Sequence, residues 1–414
     1  MSQAPLRCWK RNQGGSHQPL LQALLVVLLS GTAHAWSLSF LPARDTLPRQ
    51  LALPEQMLVQ ALMEIADNRT QAALERIEKL LAVSPNFRLA QLIRGDLLLA
   101  RGRPIDSLGA GAPPERVDEL RAEARTRLAR YAFQPPTHLV PKNLLALAPH
   151  QKHALVIDTS RSTLFVFANT DGGPKYLADF YVTLGKNGIE KVREGDKKTP
   201  LGVYRVIDRL PKDRLSDFYG AGAFPIDYPN EWDRARGRSG YGIWLHGTPL
   251  DTYSRPPRAS DGCVVLANED LEALADYLEP GSTPVVIARD VEWIAPEVAA
   301  ALRAQLLERI ERWRKDWESR DTEQYLSHYS RRFSGNGADL AKWAAQKRQV
   351  NAAKTWIRVR ISDVSMFLYP GEGTMAEVTF EQDYASSNLS NRMKKRQYWM
   401  QEGEGWKIVY EGAA

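Results

Sequence analysis

The sequence predicts a multidomain chain: an α-helical N-terminal region, a central mainly-β domain and a C-terminal α+β domain. Three observations carry this. The length of 414 residues suffices for two or three domains. The apolar period is helical from about residue 55 to 131 and changes near residue 150 to short runs rich in Val, Ile, Tyr and Phe. A helical period returns after Pro296 and gives way to strand-like runs from residue 356. Hydrophobic content of 43% and charged content of 25% are ordinary for packed domains, which argues against a largely unfolded chain.

The first segment has the layout of an export signal. Arg7, Lys10 and Arg11 form a basic stretch, residues 20–29 are apolar, and Ala33-His34-Ala35 fits a small-x-small cleavage pattern. Residues 1–35 are therefore expected to be a cleaved signal peptide, with an uncleaved anchor as the alternative. Cleavage lowers the net charge from +6 to +3. A weakly basic chain permits contact with anionic envelope polymers and gives no argument for nucleic acid. No further apolar run is long enough for a membrane span. Cleavage also removes Cys8 and leaves Cys263 as the single cysteine. In an exported protein such a residue is a buried bystander, an intermolecular link or a reactive thiol.

Residues 36–132 read as the helical region. Leu58, Leu62 and Ile65 repeat at helical spacing, Asn68 offers a stop, residues 72–81 resume, Ser84-Pro85 breaks, and 87–100 form a third stretch ending at Gly102. The pattern resembles a degenerate tetratricopeptide hairpin, with ordinary helical packing as the alternative. Residues 114–131 add an Arg- and Glu-rich helix, and Pro135, Pro136 and Pro141 mark 133–149 as a linker.

Residues 150–290 read as the β domain. Strands are expected at 154–158, 162–169, 176–183, 204–207, 240–247 and 283–288, with a short helix at 270–278. Leu164 and Val166, and Tyr181 and Thr183, alternate as a half-buried sheet would. From 296 to 414, one helix should present Leu302, Leu306, Ile310, Trp313 and Trp317 on one face. A helical segment with Tyr325, Tyr329 and Phe333 follows, then strands at 356–364, 375–384, 395–401 and 406–410. The stretch holding Trp317, Asp321, Tyr325, Tyr329 and Phe333 resembles the nuclear transport factor 2-like cone. That resemblance implies a pocket, for a wall fragment or a partner, which Tyr325, Tyr329, Trp317 and Trp356 would line unless they are core.

Two segments carry candidate chemistry: Ile243-Trp244-Leu245-His246-Gly247-Thr248, and Ser260-Asp261-Gly262-Cys263-Val264-Val265-Leu266 followed by Asn268 and Asp270. A thiol needs a base to become the attacking thiolate, and an imidazole at the end of a rigid strand can serve. The Gly247 carbonyl can fix the tautomer of that imidazole. Gly262 allows close backbone approach, and amides near Cys263 are candidates for an oxyanion hole. Taken singly, each of these residues is more often structural.

Together they resemble the YkuD-type L,D-transpeptidases. His246-Gly247, Ser260, Gly262, Cys263 and Asn268 match that family's pattern. So does Gly195-Asp196-Lys197-Lys198-Thr199-Pro200-Leu201-Gly202-Val203-Tyr204. By resemblance Cys263 is the nucleophile, His246 its base and Gly247 the orienting group. The family attacks the L-to-D bond after diaminopimelate in tetrapeptide stems and passes through a cysteine thioester, and carbapenems acylate its cysteine. Two positions depart from the pattern. The usual histidine of Ser-His-Gly-Cys is Asp261, and the commoner arginine two residues past the cysteine is Val265. Arg258, Arg255 or Arg238 would have to replace that arginine against substrate carboxylates. Ser260, Asp261, Gly262 and Arg258 are accordingly the expected substrate or oxyanion contacts.

A phosphate loop is rejected for want of Gly-x-x-x-x-Gly-Lys-Ser/Thr spacing. No ligand set surrounds His150 and His153, so no metal or other cofactor is expected. The expected function is wall cross-linking or protein attachment by transpeptidation in the periplasm or cell envelope. The expected partners are stem peptides and, through the helical region, an envelope protein. Hydrolysis of the same thioester, which trims stems or releases a stem-linked protein and so controls cell shape, is the alternative. A wall-binding scaffold without activity is the alternative of another class.

Overall fold

The computed structural model describes residues 53–414 except Asp106, Asn336, Glu372, Gly373 and Glu404. The segment expected as a signal peptide, with Cys8, lies outside the described residues.

Helices α1 (Leu53–Ala66), α2 (Thr70–Val83) and α3 (Arg88–Leu99) fold back on one another. Asn68 adopts a left-handed φ of 60° and ends the first turn of chain, as its side chain tolerates. Leu58, Leu62, Ile65, Ile77 and Ile93 are buried among them. Helix α4 (Pro114–Ala132) opens on a proline, whose missing N–H costs nothing at a helix start. No repeat array follows this bundle among the described residues, so its tetratricopeptide-like character rests on the sequence pattern alone. Its core is completed by Tyr253 and Ala267 of the following domain.

The stretch expected as a linker is partly structured. Strand β1 (Val140–Pro141) pairs with Trp293–Ile294, and β2 (Leu144–Ala146) joins the edge of the C-terminal sheet at Phe367. Prolines bias such a stretch toward extended backbone, which edge pairing uses.

The central domain contains β3 (His153–Asp158), β4 (Thr163–Thr170), β5 (Gly173–Tyr181), β6 (Leu184–Gly185), β7 (Gly202–Arg205), β8 (Leu210–Pro211), β9 (Gly222–Pro225), helix α5 (Glu231–Ala235), β10 (Trp244–His246), β11 (Arg258–Ser260), β12 (Val264–Val265), helix α6 (Asn268–Ala275) and β13 (Pro284–Ala288). One sheet has the order β5-β4-β3-β13-β7, a second β12-β10-β9-β8, and β11 pairs with β6. The half-buried alternation expected for β4 is not observed. Leu164 and Val166 pack into the domain's own core, while Phe165 and Phe167 on the opposite face are equally buried against Phe367, Tyr398 and Val409. The C-terminal domain covers that second face, so both sets of alternate side chains are apolar.

After β14 (Trp293–Ile294), helix α7 (Pro296–Ser319) buries Leu306, Ile310, Trp313 and Trp317. Arg320 ends it in the left-handed region at φ 66°. The Asp321 side chain then caps α8 (Thr322–Leu326). Ribbon β15 (Ser334–Gly335) with β16 (Ala338–Asp339) leads to α9 (Leu340–Ala352). Helix α9 is not expected from the sequence, because its apolar residues form no stripe. The long strands β17 (Ile357–Leu368), β18 (Met375–Ser386), β19 (Leu389–Glu402) and β20 (Gly405–Ala413) form an antiparallel meander closing the cone. It holds a cavity of about 350 Å³ lined by Trp317, Trp343, Lys347, Tyr384, Lys395 and Glu411. Of the four aromatics expected there, Trp317 lines it. Tyr325 and Tyr329 are core residues with hydroxyls 2.6 Å apart, and Trp356 lies elsewhere, 45% exposed. Two ion pairs tie the cone to the central domain, the buried pair of Arg205 with Glu377 at 2.7 Å and the partly buried pair of Arg396 with Glu231.

Candidate active site

Strands β10 and β12 run parallel, with Leu245 opposite Val264 and His246 opposite Val265. This register brings the two sequence segments into neighbouring strands, Cys263 entering one and His246 ending the other. Leu245 and Val264 are fully buried beneath them, so the two candidate side chains stand on a rigid base.

His246 is 1% exposed, between Phe218 and Tyr219, with ring centroids at 5.7 and 5.2 Å. Its Nδ1 lies 2.7 Å from the Gly247 carbonyl oxygen. This hydrogen bond assigns the proton to Nδ1 and leaves Nε2 as the ring's proton acceptor. Burial pushes the imidazole down to about 4, against the Gly247 carbonyl and with the help of Arg255. The Cys263 thiol is partly exposed and donates to the Gly242 carbonyl at 3.3 Å. Burial pushes it up to about 11. The Trp244 amide, Lys191 and Arg255 oppose that rise, and the Asp261 carboxylate adds to it. At neutral pH the two neighbouring strands thus carry a protonated thiol and a neutral imidazole.

Each surrounding residue has a definite task. Asn268 clamps the turn after His246: its Oδ1 accepts from the amides of Ala221 (2.9 Å) and Thr248 (3.2 Å), and its Nδ2 donates to the Thr248 carbonyl (2.9 Å). A side chain at 247 would meet that Oδ1 at 2.2 Å, so glycine is required. Ser260 Oγ donates to the Cys263 carbonyl (2.6 Å) and accepts the Gly262 amide (3.1 Å). Gly262, at φ 123°, lets the Lys198 carbonyl come within 2.7 Å of where a Cβ would stand. Buried Thr199 donates to the Gly262 carbonyl (3.0 Å) and accepts the Gly185 amide (2.9 Å). The Gly-Asp-x-x-Thr-Pro segment is thereby tied directly to the cysteine loop. Burial alone would raise the Asp196 carboxyl, but Lys191 and the amides of Val192, Arg193 and Lys198 take it down to about 2. It organises the loop just before Thr199.

Some expected roles change. The Gly262 amide and the Ser260 hydroxyl are spent inside the loop, so both brace it and neither is free for an oxyanion. Arg258 turns away and donates to the Thr159 carbonyl at 3.0 Å. Arg238 pairs with Asp233 at 3.1 Å. Arg255, of the three arginines, lies at the site, its guanidinium 5.0 Å from the centroid of Phe218. Asp261 is largely exposed and paired with Lys186 at 2.8 Å. Phe218 and Tyr219 were not anticipated. They come from a short 3₁₀ turn at Asp217–Tyr219, and nothing in their local sequence marks them.

Residues 152–287 match the family model of the L,D-transpeptidase catalytic domain, and residues 305–412 match that of the Cds6 C-terminal NTF2-like domain. The chain thus contains an L,D-transpeptidase-family domain joined to a nuclear transport factor 2-like domain. Its structure is similar to that of Bd1075 from Bdellovibrio bacteriovorus, with 28% identity over 67% of this chain and 98% of that one (TM-score 0.59). It is also similar to the helical cell shape determining protein Pgp2 from Campylobacter jejuni, with 26% identity over 65% and 95% (TM-score 0.56). A comparison with curated proteins returns no match. Among the described residues no helix is long and apolar enough to cross a membrane.

Proposed function

We propose that this protein is an exported enzyme of the cell envelope that transfers the acyl group of a peptidoglycan stem peptide through a thioester on Cys263. The observation that carries the reading is the His246 imidazole, its tautomer set by the Gly247 carbonyl, on the strand beside the cysteine. His246 Nε2 takes the thiol proton as Sγ attacks the peptide carbonyl. The C–N bond then breaks, the proton passes to the departing amine of the D-residue, and a thioester remains. An acceptor attacks the thioester, the C–S bond breaks and the thiol is restored. Arg255 is the cation available to a stem carboxylate.

With an amine acceptor the reaction is transpeptidation, which joins stems or attaches an envelope protein. With water it is L,D-carboxypeptidation or release of a stem-linked protein. The second reading is favoured by the likeness to Pgp2, a protein described as determining helical cell shape. The cone cavity, with Lys347 Nζ 4.2 Å from the centroid of Trp343, suits an anionic wall fragment.

Incubation of the protein with a tetrapeptide muropeptide, with and without an amine acceptor, tests both readings by product mass. Loss of the terminal D-residue, absent in Cys263→Ala, is expected. Tripeptide alone in both reactions removes the transfer reading. Unchanged muropeptide, and no carbapenem adduct on Cys263, removes the enzymatic one.

A further inference from the structure

The helical domain does more than lie beside the catalytic domain. The loop from Gly247 to Pro257 links the two halves of the candidate site, and the turn between α2 and α3 together with α4 holds it. Asn86 Nδ2 donates to the Leu250 carbonyl at 2.7 Å. Phe87 stacks on Tyr253 at 4.4 Å with planes 30° apart. Glu123 accepts from Ser254 Oγ at 2.8 Å. Arg127, fully buried, sits 3.9 Å from the Tyr181 ring centroid and 5.3 Å from that of Phe87.

The same loop carries the site. The Tyr253 carbonyl accepts from Thr248 Oγ1 at 3.2 Å, next to the Gly247 whose carbonyl orients His246. The Arg255 carbonyl accepts from both Tyr181 Oη and Thr183 Oγ1 at 3.0 Å, which aims its side chain at Phe218 beside His246. Ala267, which joins the helical core with Tyr253, immediately precedes the Asn268 clamp.

We propose that the helical domain is a built-in positioning element of the active site. By filling its own core with Tyr253 and Ala267 it fixes the Gly247–Thr248 turn and Arg255. Phe87, Glu123 and Tyr253 are then positioning residues, acting through Gly247 and Arg255. The effect on catalysis rests on the acyl-transfer reading above; the effect on loop order does not.

The test uses the full chain with Tyr253→Ala and the conservative Tyr253→Phe. Among the described residues the buried Tyr253 hydroxyl has no hydrogen-bond partner, so the phenylalanine variant retains everything the stack needs. In Tyr253→Ala, amide exchange across 247–257 is expected to rise at least about tenfold. The His246-dependent limb of the pH profile for Cys263 alkylation by iodoacetamide should shift, and kcat should fall about tenfold or more with a smaller change in KM. Tyr253→Phe should restore all three. Ser254→Ala, in a partly exposed position, should show a weaker form of the same changes and serves if Tyr253→Ala does not fold. Wild-type exchange, pH profile and kcat in the folded variants would overturn the proposal. An inactive wild-type protein with Tyr253-dependent loop exchange and alkylation would overturn the acyl-transfer reading and leave the positioning intact.

Discussion

The Gly247→Ala substitution puts the orientation of His246 under direct strain. A Cβ at 247 would stand 2.2 Å from Asn268 Oδ1, 2.9 Å from the Ala221 nitrogen and 3.1 Å from the Tyr219 oxygen. Ordinary contact begins at 3.4 Å, so the amide oxygen must recede by about 1.2 Å. That oxygen holds two backbone amides, and the same side chain holds the Thr248 carbonyl. Losing three such bonds at about 1 kcal/mol each amounts to about 3 kcal/mol, or roughly a hundredfold in a local opening equilibrium. Amide exchange at Ala221 and Thr248 should therefore accelerate about a hundredfold. A misplacement of this size at the proposed base should lower kcat by about a hundredfold as well. The double variant Gly247→Ala, Asn268→Ala removes the clash together with the clamp, so its loss should be smaller than the sum of the two single losses. Wild-type exchange and turnover in Gly247→Ala would refute the idea that Asn268 packing sets the Gly247 carbonyl. Strict additivity in the cycle would refute the coupling.

Because His246 is held down to about 4 and Cys263 up to about 11, the free enzyme's acid limb in kcat/KM should fall near pH 4; a limb near 6.5 would contradict the buried neutral imidazole. The unfolded chain protonates His246 first, so its stabilising contribution is complete above pH 6.5 and declines as pH falls toward 4, and His246→Gln should flatten thermal stability across that window. Asp261→Asn removes an anion that raises the thiol, so Cys263 alkylation at pH 8 should quicken by about two- to fivefold; slower alkylation would show that the Lys186 pair orders the loop instead. Thr199→Val leaves the Gly185 amide and the Gly262 carbonyl unpaired in the interior, at about 1–3 kcal/mol each, and should lower both the first thermal transition and turnover; an unchanged transition would refute the bridging role.

Where the candidate residues lie was legible because the signal is local. His246-Gly247 and Gly262-Cys263 are adjacent pairs whose places follow from the ends of neighbouring strands and from close backbone approach. Arg258 against Arg255 was not legible, since Arg255 lies in coil and Arg258 opens a short strand, and nothing local in the sequence says which of them faces the site. Phe218 and Tyr219 reach His246 through topology, and no local signal announces that. The same limit explains β4. Leu164 and Phe165 are both apolar, and the cover over the second face comes from residues 200 positions away. Helix α9 escaped for the opposite reason: Asp339 caps it, yet it buries few side chains and so leaves no periodic stripe.

A neutral resting pair is consistent with a carbonyl, rather than a carboxylate, behind the histidine. A carboxylate would stabilise the imidazolium and favour a standing thiolate. The Gly247 carbonyl orients the ring and offers only a dipole, while burial penalises both ions. In the proposed reaction, proton transfer is then favourable only as the sulfur begins to bond to carbon, when charge moves onto the substrate oxygen. In the exported setting proposed above, such a thiol resists oxidation and stray electrophiles until a peptide is seated. Reactivity therefore depends on geometry more than on a perturbed thiol, and that demand accounts for how densely Asn268, Ser260, Thr199 and the helical domain brace the loops around it.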